Sequence, residues 1–236
     1  MGNLTATPDA ETAVPLPNVI KFVRQLSHDL RNSLNAAELQ AAYISEISEG
    51  DEMKEEIKRL RAMVSELGTS LQRLTSALGD IRLNPMEYTA GDFMEDLRQK
   101  VSTQFPDASD AVGWQVGAEK DAILEIDPQL LQQGMLELFD NAMRHRCGAG
   151  KMIVEADVKG KEFSITIAEP KIDFSGNPEM WGYEPLQTFS HGHYGLGLHR
   201  ARRIIAAHSG ELDIQYDRGG GCLISTVRLP LSNEGD

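Results

Sequence analysis

His28 is the side chain in this sequence best placed to do chemistry. It stands in the run Ser27-His28-Asp29-Leu30-Arg31-Asn32-Ser33-Leu34. Leu26, Leu30 and Leu34 recur every four residues and mark the buried stripe of a helix, so His28, between those rungs, faces outward. Asp29 is its neighbour in the chain and can accept the ring N–H or take a proton from it. Asn32 lies one turn above His28 on the same face. An exposed imidazole beside a carboxylate suits nucleophilic attack on a phosphorus atom.

A second set of groups lies in the later half. Glu137, Asn141 and Arg144 fall on one face of a helix. Gly195 and Gly197 open another helix, where bare backbone lets N–H groups approach a phosphate and the helix N-terminus favours the anion. His191 and His193 form a His-x-His pair. The sequence offers it no further ligand, so no metal site is expected there.

These groups need elements to hold them. Between residues 18 and 83 the periodicity is helical: Ile20, Val23, Leu26, Leu30, Leu34, Ala37, Ala41 and Ile44, then Ile57, Leu60, Val64, Leu67, Leu71, Leu74, Leu78 and Ile81. Ser48-Glu49-Gly50-Asp51 interrupts the pattern, which implies two long helices in an antiparallel hairpin. One hairpin cannot cover so long an apolar stripe, and a dimeric four-helix bundle is the simplest way to bury it. Asn84-Pro85 is expected to end the second helix.

The later half predicts a helix over 91–104, short strands at 114–116 and 122–126, and a helix capped by Asp127-Pro128 running to about Arg146. Strands follow at 152–158 and 162–168, then a loop over 169–194 and a helix over 196–209. A final hairpin, 211–216 with 222–229, turns at Asp217-Arg218-Gly219-Gly220-Gly221. Strands set apart from helices make this half an α/β sandwich, one sheet under one helical layer, and the whole chain α+β.

Composition narrows the functions. The chain has 236 residues, 41% hydrophobic and 25% charged, ordinary values for two globular domains. A formal net charge of −13 argues against nucleic-acid binding. No apolar run approaches the ~20 residues of a membrane span. Residues 1–17 are polar, lack the basic start and apolar core of a secretory signal, and are expected to form a disordered tail. The only cysteines, Cys147 and Cys222, have no metal-ligand spacing and are expected to be reduced thiols in a cytoplasmic protein.

The His28 run resembles the phosphoacceptor box of two-component sensor histidine kinases, His-Glu/Asp-x-Arg/Lys-x-Pro-Leu, with Ser33 where Pro is usual. In that family the box lies on a dimerisation and phosphotransfer hairpin, here residues 18–84. Asn32 fits the family's E/D-x-x-N/T pattern, associated with dephosphorylating the partner.

Residues 85–236 resemble the Bergerat-type ATPase domain shared with gyrase, Hsp90 and MutL. Glu137-Leu138-Phe139-Asp140-Asn141-Ala142-Met143-Arg144-His145 resembles its N-box. That likeness implies Asn141 as ligand of Mg2+, and Arg144 on phosphate where Lys is usual, with His145 closing the box. Glu137 resembles the catalytic base of the ATPase branch. Gly195-Leu196-Gly197-Leu198 resembles the distal phosphate box. Tyr183-Glu184-Pro185-Leu186 resembles the aromatic box, and residues 187–194 the lid.

Counting back from Tyr183 places the adenine-binding box at Glu169-Pro170-Lys171-Ile172-Asp173. Glu169 stands for the usual Asp, and both glycines are gone. Lys171 and Asp173 would crowd the base.

The resemblance implies ATP and Mg2+ as cofactors and His28, Asp29, Asn32 and Glu137 as catalytic residues. It also implies a response-regulator receiver domain as partner, a homodimer, and a separate sensor protein, since no segment of the chain resembles a sensor. The resemblance thus implies a kinase that phosphorylates His28 from ATP. The altered adenine box supports another reading, a histidine phosphotransferase relaying phosphate between receivers without ATP. A non-catalytic regulatory binding protein is a third, disfavoured by the intact His28 box.

Overall fold

The computed structural model describes residues 16–48, 50–77, 79–106, 110–117, 119–145, 150–171, 174, 176–185 and 195–232. Expectations for the N-terminal tail, Cys147, Asp173 and the lid with His191 and His193 lie outside the described residues, apart from the tail's last two, Leu16 and Pro17. The chain divides into two compact units, one ending at Leu78 and one beginning at Gly79.

The first unit is the helical hairpin. Helix α1 spans Leu16–Ile47 and α2 spans Asp51–Ala77, turned around Gly50. The second helix ends short of Pro85, because Gly79 breaks the pattern first and the chain is non-helical from there to Pro85. Two heptad seams run along the pair. Ser27, Leu34 and Ala41 on α1 and Ile57, Val64 and Leu71 on α2 are buried or half-buried, so they form the seam inside the hairpin. The other seam is open. On α2, Met53, Leu60 and Leu67 are 55%, 46% and 57% exposed. On α1, Leu26, Leu30 and Ile44 are exposed as well. This corrects the expectation for Leu26 and Leu30, which are not covered within one chain.

The second unit is the sandwich. Five strands, β2 (Val112–Val116), β4 (Met152–Lys159), β5 (Glu162–Pro170), β6 (Glu211–Asp217) and β7 (Cys222–Pro230), form a sheet in the order β2-β4-β5-β7-β6. Only β2 and β4 are parallel. The single sheet expected is in fact two. A short strand β1 (Met86–Thr89) pairs antiparallel with β3 (Ile123–Ile126) in a ribbon of its own. Four residues without an apolar run gave β1 no periodic signal.

Period two sets the sheet's inner face: Phe163, Ile165 and Ile167 on β5 alternate inward with Leu223, Val227 and Leu229 on β7. Helices α3 (Ala90–Gln104), α4 (Pro128–Arg144) and α5 (Gly197–Ala207) contribute Phe93, Leu97, Leu131, Met135, Phe139, Ile204 and Ile205 to the same core. A Cβ on Gly134 would meet Ile204 Cγ2 at 3.2 Å, which is how closely α4 approaches α5.

Two polar clamps fix the helices that carry the later site. Asp127 caps α4 by accepting from the Leu130 N–H at 3.0 Å, and its other carboxylate oxygen accepts from the Asn84 N–H at 3.1 Å. Buried His208, just past α5, donates from Nδ1 to the Ile204 carbonyl at 2.8 Å and accepts at Nε2 from the Asp127 N–H at 3.1 Å. The start of α4 and the end of α5 are thereby tied.

Tyr88 on β1 donates to Asp96 Oδ2 at 2.6 Å. That hydrogen bond, then burial and the Asp96 charge, push the phenol up to about 12. The folded form holds the Tyr88 proton more tightly than the unfolded chain does. Its contribution is therefore complete below pH ~10 and lost as pH rises toward 12. Tyr88→Phe is expected to remove that part of the alkaline loss of stability. Urea denaturation at pH 9 and at pH 11 checks it: the native chain should lose more stability between the two than the variant.

Candidate functional site

On the hairpin, α1 runs unbroken past His28 because Ser33 keeps the backbone N–H that Pro would remove. The Ser33 hydroxyl also donates to the Asp29 carbonyl at 3.1 Å. The His28 and Asp29 side chains are 67% and 61% exposed, on neither seam. His28 Nδ1 lies 3.3 Å from Asp29 Oδ1 and 3.4 Å from Asn32 Nδ2. Gln25 Nε2 donates to the same Asp29 oxygen at 2.9 Å and steadies it.

Both neighbours of the ring sit at Nδ1. With the proton on Nδ1 and donated to Asp29, Asn32 cannot also donate to that nitrogen, and Nε2 carries the lone pair on an exposed ring. That is the tautomer a nucleophile needs. His28, Asp29 and Asn32 are brought together as the spacing implied. Gln25 was missed, although its place four residues before Asp29 was a readable signal.

In the second unit the α4 face meets the start of α5. Glu137 Oε2 lies 2.7 Å from where a Cβ on Gly197 would stand, so only glycine admits the carboxylate there without a shift. Glu137 Oε1 is 3.5 Å from Arg200 Nη1, and Arg200 Nη2 donates to Gln133 Oε1 at 2.6 Å. Asn141, one turn beyond Glu137, is half-buried. Arg144 pairs with Asp140 one turn back, at 2.8 Å and 3.1 Å. His145 ends the helix, its N–H donating to the Asn141 carbonyl.

Gly195 has φ +63°, a left-handed backbone that favours glycine. Leu196 is buried, and as the residue before α5 it offers no side-chain cap to the helix N–H groups that begin at Gly197. Leu198 packs on the core. Uncapped N–H groups at a glycine-lined helix start fit the phosphates of a nucleotide. Among the described residues no group of three His, Cys, Asp or Glu side chains is arranged to hold a metal ion. Mg2+ would depend on the Asn141 oxygen together with phosphate and water.

The base end is different. Glu169 is 2% exposed and continues the inward stripe of β5. Lys171 is on the same face, 9% exposed, and its Nζ donates to Glu169 Oε1 at 3.0 Å. The loop expected from residue 169 is corrected at its start, because β5 runs on to Pro170 and puts Glu169 and Lys171 on one face. Their meeting as a buried ion pair was missed. The phosphate end thus fits a nucleotide, whereas Glu169, the carboxylate expected to meet adenine, is already bonded within the chain.

Arg202 on α5 secures the segment ahead of the lid. It donates to the carbonyls of Trp181 at 2.5 Å and Leu212 at 2.6 Å, and lies 4.1 Å over the Tyr183 ring. Burial draws its guanidinium below the ordinary pKa, with Tyr183, Asp213 and Glu211 pulling the other way. No sequence motif pointed to this residue.

Residues 126–233 match the family described as histidine kinase-, DNA gyrase B-, and HSP90-like ATPase. The sensor histidine kinase SpaK of Bacillus subtilis is 30% identical over 115 residues, 47% of this chain and 25% of that protein. Two solved structures share the fold. ShkA, full-length in complex with AMPPNP, has a TM-score of 0.73 at 17% identity over 92% of this chain and 47% of its own. Histidine kinase ThkA in complex with response regulator protein TrrA has a TM-score of 0.59 at 14% identity over 94% and 64%. This chain spans 25%, 29% and 44% of the first three curated relatives it matches, under half of each. No helix among the described residues is long and apolar enough to cross a membrane. Through its ATPase-fold unit, the chain is similar to sensor histidine kinases.

Proposed function

We propose that the chain is a histidine kinase whose His28 takes the γ-phosphoryl group of ATP and hands it to an aspartate of a response-regulator receiver domain. The observation that carries this is His28 itself: exposed, with Asp29 at Nδ1 and nothing described at Nε2. Nε2 attacks the γ-phosphorus, the N–P bond forms, and the bond to the ADP oxygen breaks. Asp29 holds the Nδ1 proton and stabilises the charge that builds on the ring. The receiver carboxylate then attacks the phosphorus and the N–P bond breaks, returning His28. Positioning and charge stabilisation supply most of the acceleration.

On the ATP side, Gly195 to Gly197 would cradle phosphates, Asn141 would hold Mg2+, and Glu137 would face the reacting end from α4. The family match and the AMPPNP complex of ShkA support nucleotide binding; the ThkA complex supports a response-regulator partner. The open seam supports a homodimer in which two hairpins form a four-helix bundle. The enzyme would work in the cytoplasm, under a separate sensor protein.

A second reading has its own observation, the Glu169–Lys171 pair. If the pair never opens, His28 relays phosphoryl groups between receivers and ATP plays no part. Incubation with labelled ATP and Mg2+ separates the two. Acid-labile label on His28 supports the kinase. An unlabelled chain that still accepts phosphate from a phosphorylated receiver overturns it in favour of the relay.

Asn32 has a narrower assignment. Beside His28 and exposed, it can orient a water toward a receiver's phospho-aspartate. Asn32→Ala is expected to slow receiver dephosphorylation about tenfold or more, with His28 phosphorylation retained. Equal loss of both activities in the same assay would refute that division of roles.

A further inference from the structure

We propose that Lys171 is the residue that sets nucleotide affinity at this site, by occupying the Glu169 carboxylate with its own ammonium where an adenine amino group would bind. The inference rests on the nucleotide lying between Glu169 and Gly197.

The chemistry is one of substitution. An adenine amino group offers a carboxylate a neutral N–H donor. Lys171 Nζ offers a charged one at 3.0 Å, which adds an ion-pair attraction that a neutral amino group lacks. Both partners are almost out of water, so neither can be exchanged for solvent at small cost. For adenine to reach Glu169, it must displace the ammonium and leave a buried cation short of its carboxylate.

The lysine is also held from behind. Its N–H donates to the Gly221 carbonyl at 2.7 Å, and its own carbonyl accepts from the Tyr216 hydroxyl at 3.1 Å. Its Nζ lies 5.8 Å over the Phe174 ring, which packs on Trp181 and Tyr216. The backbone therefore cannot carry the side chain away, and only rotation of the stem can open the carboxylate. Weak ATP binding follows, limited by how often Lys171 lets go.

The test is calorimetric titration of the full chain with MgATP, for the native protein, K171G, K171Q and K171R. K171G is expected to bind about tenfold tighter or better than native, K171Q between the two, and K171R as native. Should circular dichroism show K171G unfolded, K171Q against K171R carries the same test, because only the charge-conserving change should leave binding unchanged. Equal affinities across the series, with His28 still labelled from ATP, overturn the assignment of Lys171 and leave the kinase standing. No binding by any folded variant, with each still accepting phosphate from a phosphorylated receiver, overturns both.

Discussion

His28→Gln is expected to leave a chain that takes no phosphoryl group from any donor, ATP or phosphorylated receiver. The amide of Gln is of similar reach and equally exposed, and helix α1 tolerates it at little cost. What it lacks is a nitrogen lone pair free to bond phosphorus. The folded structure should be unaffected, because the His28 ring is 67% exposed and on neither buried seam. Asp29→Asn is expected to act more softly, lowering the rate about a hundredfold, since the amide can no longer hold the Nδ1 proton as a charged acceptor. The measurement is acid-labile label per chain with each donor in turn. Label persisting in the Gln variant would place the phosphoacceptor elsewhere.

The contrast between the two units explains what could be read in the sequence. The hairpin was legible because its apolar residues repeat over some sixty positions, and His28, Asp29 and Asn32 interact within one turn of one helix. Strands β4 to β7 and helices α3 to α5 were legible from alternation, the Asp127 cap of α4 and the Gly210 that follows the end of α5, whereas the Thr89 cap of α3 shows only in the structure. Strand β1 was not, because Met86–Thr89 owes its conformation to pairing with Ile123–Ile126 rather than to its own pattern.

The same divide runs through the site. Local motifs placed Glu137, Asn141, Gly195 and Gly197. Their partners come from long-range contact, as Arg200 does for Glu137 across 63 positions. Lys171 is the instructive case. Its spacing from Glu169 was in plain view, but only burial turns an i, i+2 charge pair into an obstacle. The open seam likewise needed coordinates, since periodicity marks a residue as apolar without saying which neighbour covers it.

Leu60→Glu combined with Leu67→Glu is expected to dissociate the homodimer proposed for this chain. Met53, Leu60 and Leu67 repeat every seven residues along α2 and remain about half-exposed in the single chain, while Ile57 on the other seam is 6% exposed. A second hairpin covers such a stripe with its own equivalent, so each substitution counts twice about the symmetry axis. At ~1.5–3 kcal/mol per leucine fully buried, with about half of each already covered in the single chain, the loss is roughly 3–6 kcal/mol before any repulsion. That is about two to four powers of ten in the dissociation constant. Repulsion among the four new carboxylates adds to it. Glu is a good helix former, so helicity by circular dichroism should persist. Light scattering on a sizing column is the measurement. A double variant that still elutes at the mass of two chains would mean that the open seam faces something other than a second copy. The His28 label then separates assembly from chemistry. A monomer that takes phosphate from a receiver at native rate shows that acceptance needs one hairpin alone. Loss of that rate in the monomer, with His28 and Asp29 untouched, shows that the receiver docks on a surface built from both.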